Sequence, residues 1–171
     1  MGIAIISSLN DGASTNIKES LINDFNFSKN NEKFEGNDVF QLAINEIIIK
    51  LYTVNSELIF TDGLDKRIDA DVFIFISKHR SKEGRKCLTL HPIGNFGKNE
   101  IGGKEKMLCI APSLYLKDIF NELSDNAQGS DFEATMEATH HGPFLEKPAM
   151  FVEIGSTEKE WMDKNAGNIT A

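Results

Sequence analysis

"DADVFIFISKH", residues 69–79, sets five apolar residues in a row behind an acidic turn and ends on a lysine and a histidine. An apolar run without alternation, built from β-branched and aromatic side chains, suits a strand covered on both faces. The segment predicts a central strand of a layered α/β sheet, with His79 just past its carboxyl end.

Upstream, "GIAIIS" (2–7) reads as a short buried strand and "SLNDGAS" (8–14) as a loop. Ser14 or Thr15 can cap a helix running to about Asp24, with Ile17, Leu21 and Ile22 on one face. Residues 26–38 are polar and read as loop. "NEIIIKLYTV" (45–54) and "ELIFTD" (57–62), joined at Asn55-Ser56, predict a hairpin.

Downstream, "KCLTLHP" (86–92) and "GKEKMLCIAPS" (103–113) read as strands stopped by prolines. Leu116, Ile119, Phe120 and Leu123 recur at helical spacing and predict a helix over 112–124. "DFEATMEATHHG" (131–142) alternates, with Phe132, Ala134, Met136 and Ala138 on one side and Glu133, Thr135, Glu137 and Thr139 on the other. "AMFVEIG" (149–155) is a further strand, and Thr157 with Glu160 forms a capping-box pattern for a last helix carrying Trp161 and Met162. Residues 1–171 thus predict one α/β domain, a mixed central sheet with helices on its faces.

The composition, 40% apolar and 26% charged, is that of an ordinary globular protein. The two cysteines, Cys87 and Cys109, sit among strand residues, make no CxxC pair and read as reduced core residues. No apolar run matches a signal peptide or a membrane span, which points to a soluble, cytoplasmic protein, a monomer or small homo-oligomer.

The net charge of −8 argues against indiscriminate nucleic-acid binding. Its distribution is uneven. Residues 78–106 carry eight bases against three acids, so a positive segment sits on an acidic body. Such a segment can hold a phosphate, or it can be a solvated lysine-rich loop.

All four histidines follow predicted strands: His79, His91, and the pair His140 and His141. Sites on open α/β sheets gather beyond strand carboxyl ends, so parallel neighbouring strands would bring the four into one cleft. Around His79, Lys78, Arg80, Ser81 and Lys82 offer point charges, a planar fork and hydroxyls for phosphate. "HPIGNFG" (91–97) supplies a flexible Gly94 and the Asn95 amide, suited to an oxyanion or to an ordinary turn.

In "EATHHGP" (137–143), consecutive side chains on a strand point to opposite faces. His140 and His141 therefore share a ligand only if the strand ends before them, which Gly142-Pro143 favours. One histidine can be a general base or metal ligand and the other held by Glu137 or Thr139; a hydrogen-bonded pair at a strand end is the plain alternative. Histidines with Glu133, Glu137 or Glu153 could supply a zinc set, although no HExxH spacing or GxSxG elbow is present.

Two long stretches, "DADVFIFISKHRSKEGRKCLTLHPIGNFG" (69–97) and "EATHHGPFLEKPAMFVEIGSTEKEW" (137–161), resemble the archaeal and plant-type D-aminoacyl-tRNA deacylases; "ISSLNDGAS" (6–14) is similar to that family's opening loop. The resemblance implies a phosphorylase/hydrolase-like α/β fold. It implies hydrolysis of the ester between a D-amino acid and the 3′-terminal ribose of tRNA, with D-aminoacyl-tRNA as partner and zinc as cofactor.

The matching positions are Ser77, His79, Arg80 and Ser81; His91, Pro92, Gly94 and Asn95; and Thr139, His140, His141, Gly142 and Pro143. The roles expected are water activation by His140 or His141, oxyanion stabilisation at Asn95, and phosphate binding by Lys78, Arg80 and Lys82. His79 and His91 would orient substrate or ligate metal, giving His79, His91, His140 and His141 as the metal set. Family members continue through a further glycine-rich segment bearing another histidine, so the chain reads as a C-terminally short form. A nucleotide- or tRNA-binding module without activity, and a different zinc-dependent hydrolase of related fold, are the competing expectations.

Overall fold

The 72–76 run does lie inside a sheet. In the computed structural model, which describes residues 1–171, β5 (Val72–Lys78) pairs in parallel with β1 (Gly2–Ser8) on one side and β8 (Ala149–Gly155) on the other. Eight strands form the sheet in the order β2-β3-β4-β1-β5-β8-β6-β7, where β2 is Ser28–Phe34, β3 Asn37–Ile44, β4 Ile47–Val54, β6 Cys87–Pro92 and β7 Glu133–Met136. The sheet is mixed: β6 runs antiparallel to β8 and parallel to β7.

Alternation along the central strands sorts residues onto two faces. Phe73, Phe75, Ala149, Phe151 and Ile93 belong to one buried cluster, with Leu58, Leu64 and Leu145 from turns and loops. Ile76, Leu88, Leu90, Met150, Val152 and Ile154 belong to the other. The helices α1 (Gly12–Asp24), α2 (Ser113–Asn126), α3 (Glu158–Trp161) and α4 (Lys164–Thr170) contribute only to this second cluster, through Ala13, Ile17, Leu116, Leu123, Trp161 and Ala166. The helices therefore gather on one face rather than both, and loops with two short 3-10 turns cover the other.

Several expected elements differ. Residues 57–62 form no second hairpin strand; Leu58–Phe60 is a 3-10 turn whose Leu58 inserts into the core. β4 pairs instead with β3, turning at Asn45, and β3 with β2, turning at Glu35-Gly36, where positive φ values of 51° and 84° suit a tight hairpin. Residues 28–34, read as loop, are thus an edge strand, and its charged side chains are tolerable because that edge faces water. Residues 103–113 make no strand; an isolated bridge, Gly94 with Leu108, and a hydrogen bond from the Ala149 amide to the Ile110 carbonyl tie them to the sheet.

β7 is four residues, not eight, and Met136 is 47% exposed, so the alternation there marks an edge rather than a buried face. Asp11, not Ser14 or Thr15, caps α1: its Oδ1 accepts from the Ser14 amide at 2.9 Å. The Thr157–Glu160 capping box is present, but the helix it opens is one turn, and α4 follows it.

Candidate active site

β5 and β6 run in opposite directions, so His79 and His91 do not share a sheet end. They share a face. In register, Ser77 lies beside Glu153 and Glu153 beside Thr89, while Phe151 lies between Phe75 and His91. Glu153 therefore sits between the two histidines, its Oε2 3.6 Å from His79 Nδ1 and 3.9 Å from His91 Nε2. His79 packs over Gly155, where any Cβ would fall 2.6 Å from its ring.

The turn after β7 brings the remaining pair. Glu137 N–H still donates to Leu90, and His140 bridges Ile93 in parallel fashion. His141 then adopts φ +42°, the left-handed region, and the chain reverses. That reversal sends two consecutive imidazoles to one place, which an extended strand could not do. The Gly94 amide donates to the His141 carbonyl at 2.9 Å, and the Gly142 amide to Ile101, pinning the turn. Ring centroids of His91 lie 4.0 Å from His140 and 4.9 Å from His141; the adjacent pair is 4.4 Å apart.

All three rings hold the same tautomer. Nδ1 of His91, His140 and His141 lies 2.7–2.8 Å from the carbonyls of Pro92, Ala138 and Gly142. A carbonyl only accepts, so each Nδ1 carries the proton and each Nε2 presents a lone pair. One ring nitrogen from each histidine lies within 4.8 Å of the others. Burial, with His140 alongside, holds His91 down to about 3, and burial holds His141 down to about 4. His91 is fully buried and its Nε2 has no hydrogen-bond partner.

His79 is the opposite case. Its Nδ1 lies 3.0 Å from Glu137, and that contact, with Glu153 second, raises it to about 10, so it stays an imidazolium at neutral pH. Burial, the largest single influence, would raise Glu137, but its contacts with His79 and Thr89 together outweigh it and hold the carboxyl to about 2. Glu153 is 3% exposed, and burial pushes its carboxyl up. The site is thus two touching triads: His91, His140 and His141, and His79, Glu137 and Glu153.

His79, Glu153, His140 and His141 border a cavity of about 520 Å³, with His91 and Glu137 behind them. Its wall adds Lys78 and Arg80 from the end of β5, Asn10 and Asp11 from the β1–α1 loop, Glu57, Leu58 and Ile59 from the first 3-10 turn, and Ile101. A second cavity, about 390 Å³, lies among the helices and is mainly apolar.

The other expected site residues fall elsewhere. Lys82 is exposed in a turn where Ser81 Oγ accepts from the Glu83 amide, and neither lines the cavity. Asn95 spends its carboxamide N–H groups on the carbonyls of Gly102 and Lys104, at 2.9 and 3.3 Å, so it ties a loop rather than facing an oxyanion. Gly94, at φ +147° with Leu108 against it, spends its amide on the turn, and Gly142 and Pro143 are buried behind it. Thr139 is absent from the cavity wall. Glu133 is exposed and faces Arg85.

Sequence reading missed Asp11 and Glu57. The signal for Asp11 was its place after a parallel strand. Its Oδ2 accepts from the Lys78 amide at 3.1 Å, joining the β1 and β5 ends. Glu153 was visible as a lone charge inside an apolar strand.

A family model described as D-aminoacyl-tRNA deacylase matches residues 66–171. D-aminoacyl-tRNA deacylases of Thermococcus kodakarensis and Pyrococcus furiosus are 40% and 41% identical over 94% of the chain and 60% of their own length. The chain thus spans about 60% of the curated relatives it matches. A solved structure titled as a conserved protein of unknown function superposes with a TM-score of 0.84 at 34% identity, over 99% of this chain and 60% of that one. The methylthioadenosine/S-adenosyl homocysteine nucleosidase of Campylobacter jejuni superposes at TM-score 0.58 and 11% identity, over 99% of this chain and 94% of that one, which establishes a nucleosidase-like fold. Residues 66–171 hold every histidine and both glutamates of the paired triads, and over that stretch and beyond it the chain belongs to the D-aminoacyl-tRNA deacylase family.

Proposed function

We propose that this cavity hydrolyses the ester joining a D-amino acid to the 3′-terminal ribose of tRNA. One observation carries the reading furthest: three imidazoles, each with Nδ1–H committed to a carbonyl, bring ring nitrogens within 4.8 Å of one another, and His140 and His141 line a cavity that also carries Lys78 and Arg80. Family membership supports the substrate class.

The residues fit a zinc ion. Three neutral imidazoles oriented by carbonyls form a common donor set, and the unpartnered Nε2 of fully buried His91 lacks a ligand. His91, His140 and His141 would hold the ion, which supplies a polarised water or carbonyl when bound. His79 belongs to the carboxylate triad and is not part of this set.

The chain's own groups divide the remaining work. Lys78 and Arg80 grip the terminal phosphates, Arg80 by its planar fork. The imidazolium of His79 offers its free Nε2–H to the developing oxyanion, with Glu137 and Glu153 keeping it charged. His140, 41% exposed at the cavity wall, would give its one lone pair, at Nε2, to the ion and so is a ligand rather than a free base. Leu58, Ile59 and Ile101 give the cavity an apolar side for adenine or the amino-acid side chain. Enantiomers carry identical groups, so rejecting L-esters falls to cavity shape. A cytoplasmic setting follows from a tRNA substrate.

The test is incubation with D-aminoacyl-tRNA, with peptides and with nucleosides. Release of the D-amino acid from tRNA is expected. Intact ester with tRNA retained on the protein would favour a binding module, and cleavage of peptides or nucleosides a different hydrolase.

A further inference from the structure

Lys78 and His79, the groups proposed above for phosphate and oxyanion, are neighbours at the end of β5. Three bonds fix their backbone. The Lys78 amide donates to Asp11 Oδ2 at 3.1 Å, the His79 amide to the Ile154 carbonyl at 2.9 Å, and the Trp161 indole Nε1–H to the His79 carbonyl at 2.9 Å. Beyond that last bond, residues 80–84 make no backbone–backbone hydrogen bond. The Trp161 ring also lies beneath the Lys78 ammonium, its centroid 5.8 Å from Nζ. Trp161 itself does not line the cavity.

We infer that Trp161 is a positioning residue for the site: its indole N–H sets the backbone of His79, and its ring face sets the ammonium of Lys78. The His79 ring occupies a tight slot over Gly155, with Nδ1 3.0 Å from Glu137 and 3.6 Å from Glu153. A small shift of its carbonyl therefore tilts the imidazolium away from its carboxylates. The ring quadrupole of an indole attracts a cation on its face, which gives Lys78 a preferred position without neutralising it. What Lys78 and His79 do there rests on the deacylase reading; their placement by Trp161 does not.

The indole is itself held fixed. Trp161 closes the one-turn helix α3, its amide donates to the Thr157 carbonyl at 3.0 Å, and its carbonyl accepts from the Asn16 carboxamide at 3.0 Å. Asn16 is buried on α1. The first helix thus reaches the end of β5 twice, directly from Asp11 to Lys78 and through Asn16 and Trp161 to His79. A side chain that only filled apolar space would not need the Nε1–H bond.

The experiment compares wild type with Trp161→Phe, which keeps a ring and loses the N–H, and Trp161→Leu, which loses both. In hydrolysis of D-aminoacyl-tRNA, Trp161→Phe is expected to lower kcat about two- to tenfold, the range of one hydrogen bond, with KM unchanged. Trp161→Leu should lower kcat by the same factor and also raise KM about two- to fivefold, as Lys78 loses its ring. Two readouts need no turnover. The His79 imidazole NMR signals should shift in Trp161→Phe while those of His141 stay. The emission of wild type, which has one tryptophan, should change in Lys78→Ala. Wild-type kcat in Trp161→Phe, the same KM in both variants, an unmoved His79 signal or an unchanged emission overturns the inference. A wild type that releases no ester, with both spectroscopic shifts present, sinks the deacylase reading and keeps the role of Trp161.

Discussion

The two kinds of histidine in this site owe their difference to their neighbours. His79 faces carboxylates and is held near 10; His91 and His141 face each other, His140 and an aromatic ring, and are held near 3 and 4. Free imidazole titrates at about 6.5. His79 is raised, so its stabilisation is complete below about 6.5 and is lost as pH climbs through about 10. His91 and His141 are depressed, so between about 3 and 6.5 the unfolded chain binds more protons and stability rises with pH. The thermal midpoint of the metal-free protein should therefore peak near neutrality and fall in both directions. Glu137→Gln should flatten the alkaline fall, since the Glu137 contact is the largest cause of the His79 shift. An unchanged alkaline limb in that variant would show that the ion pair does not set the charge on His79.

At the scale of elements, the turns place the chemistry. Asp11 caps α1 and also accepts from the Lys78 amide, so one carboxylate ties the first helix to the end of β5. Asp11→Ala should cost about 1–2 kcal/mol, in the range of a lost helix cap, read as a lower midpoint in urea. Gly142 is closely enclosed: a Cβ there would fall 2.2 Å from the Gly103 amide nitrogen. Gly142→Ala should shift the 140–141 turn and disrupt the histidine cluster. The check is the imidazole NMR signals, and retention of wild-type shifts would contradict the packing described.

The sequence made the central strands legible because continuous apolar runs have one use in a layered sheet. It concealed the β2–β3–β4 meander, since β2 is polar on an outer edge and carries no hydrophobic period. The 45–62 hairpin was misread because Leu58 and Ile59 are apolar for the sake of a 3-10 turn and a cavity wall. The gathering of the histidines was expected from their places after strands, but through parallel neighbours rather than the route observed. Their meeting depends on the left-handed backbone at His141 and on the antiparallel β6–β8 register, neither of which a pattern of side chains encodes. The bonds of Asn95 were hidden for the same reason: its partners are the carbonyls of Gly102 and Lys104, in a loop that runs into the 103–113 segment read as a strand.

At the scale of the molecule, the sheet separates two functions. The helical face supplies one continuous apolar cluster, while the loop face carries the charged cavity, where Glu153 is buried amid aromatic packing. No helix is long and apolar enough to cross a membrane. Filling the triad with a ligand that binds only the folded state stabilises the whole protein. Zinc at a hundred times its dissociation constant should add about 2.7 kcal/mol, seen as a raised midpoint reversed by chelator and absent in His91→Asn. An equal zinc response in wild type and His91→Asn would place the ion elsewhere. The most direct measurement of the central claim is the rate of ester release from matched D- and L-aminoacyl-tRNA, for wild type and for His140→Ala with His141→Ala. Wild type should release the D-ester faster, and the double variant should lose that difference. A double variant that keeps the full preference, or a wild type that spares both esters, would contradict it.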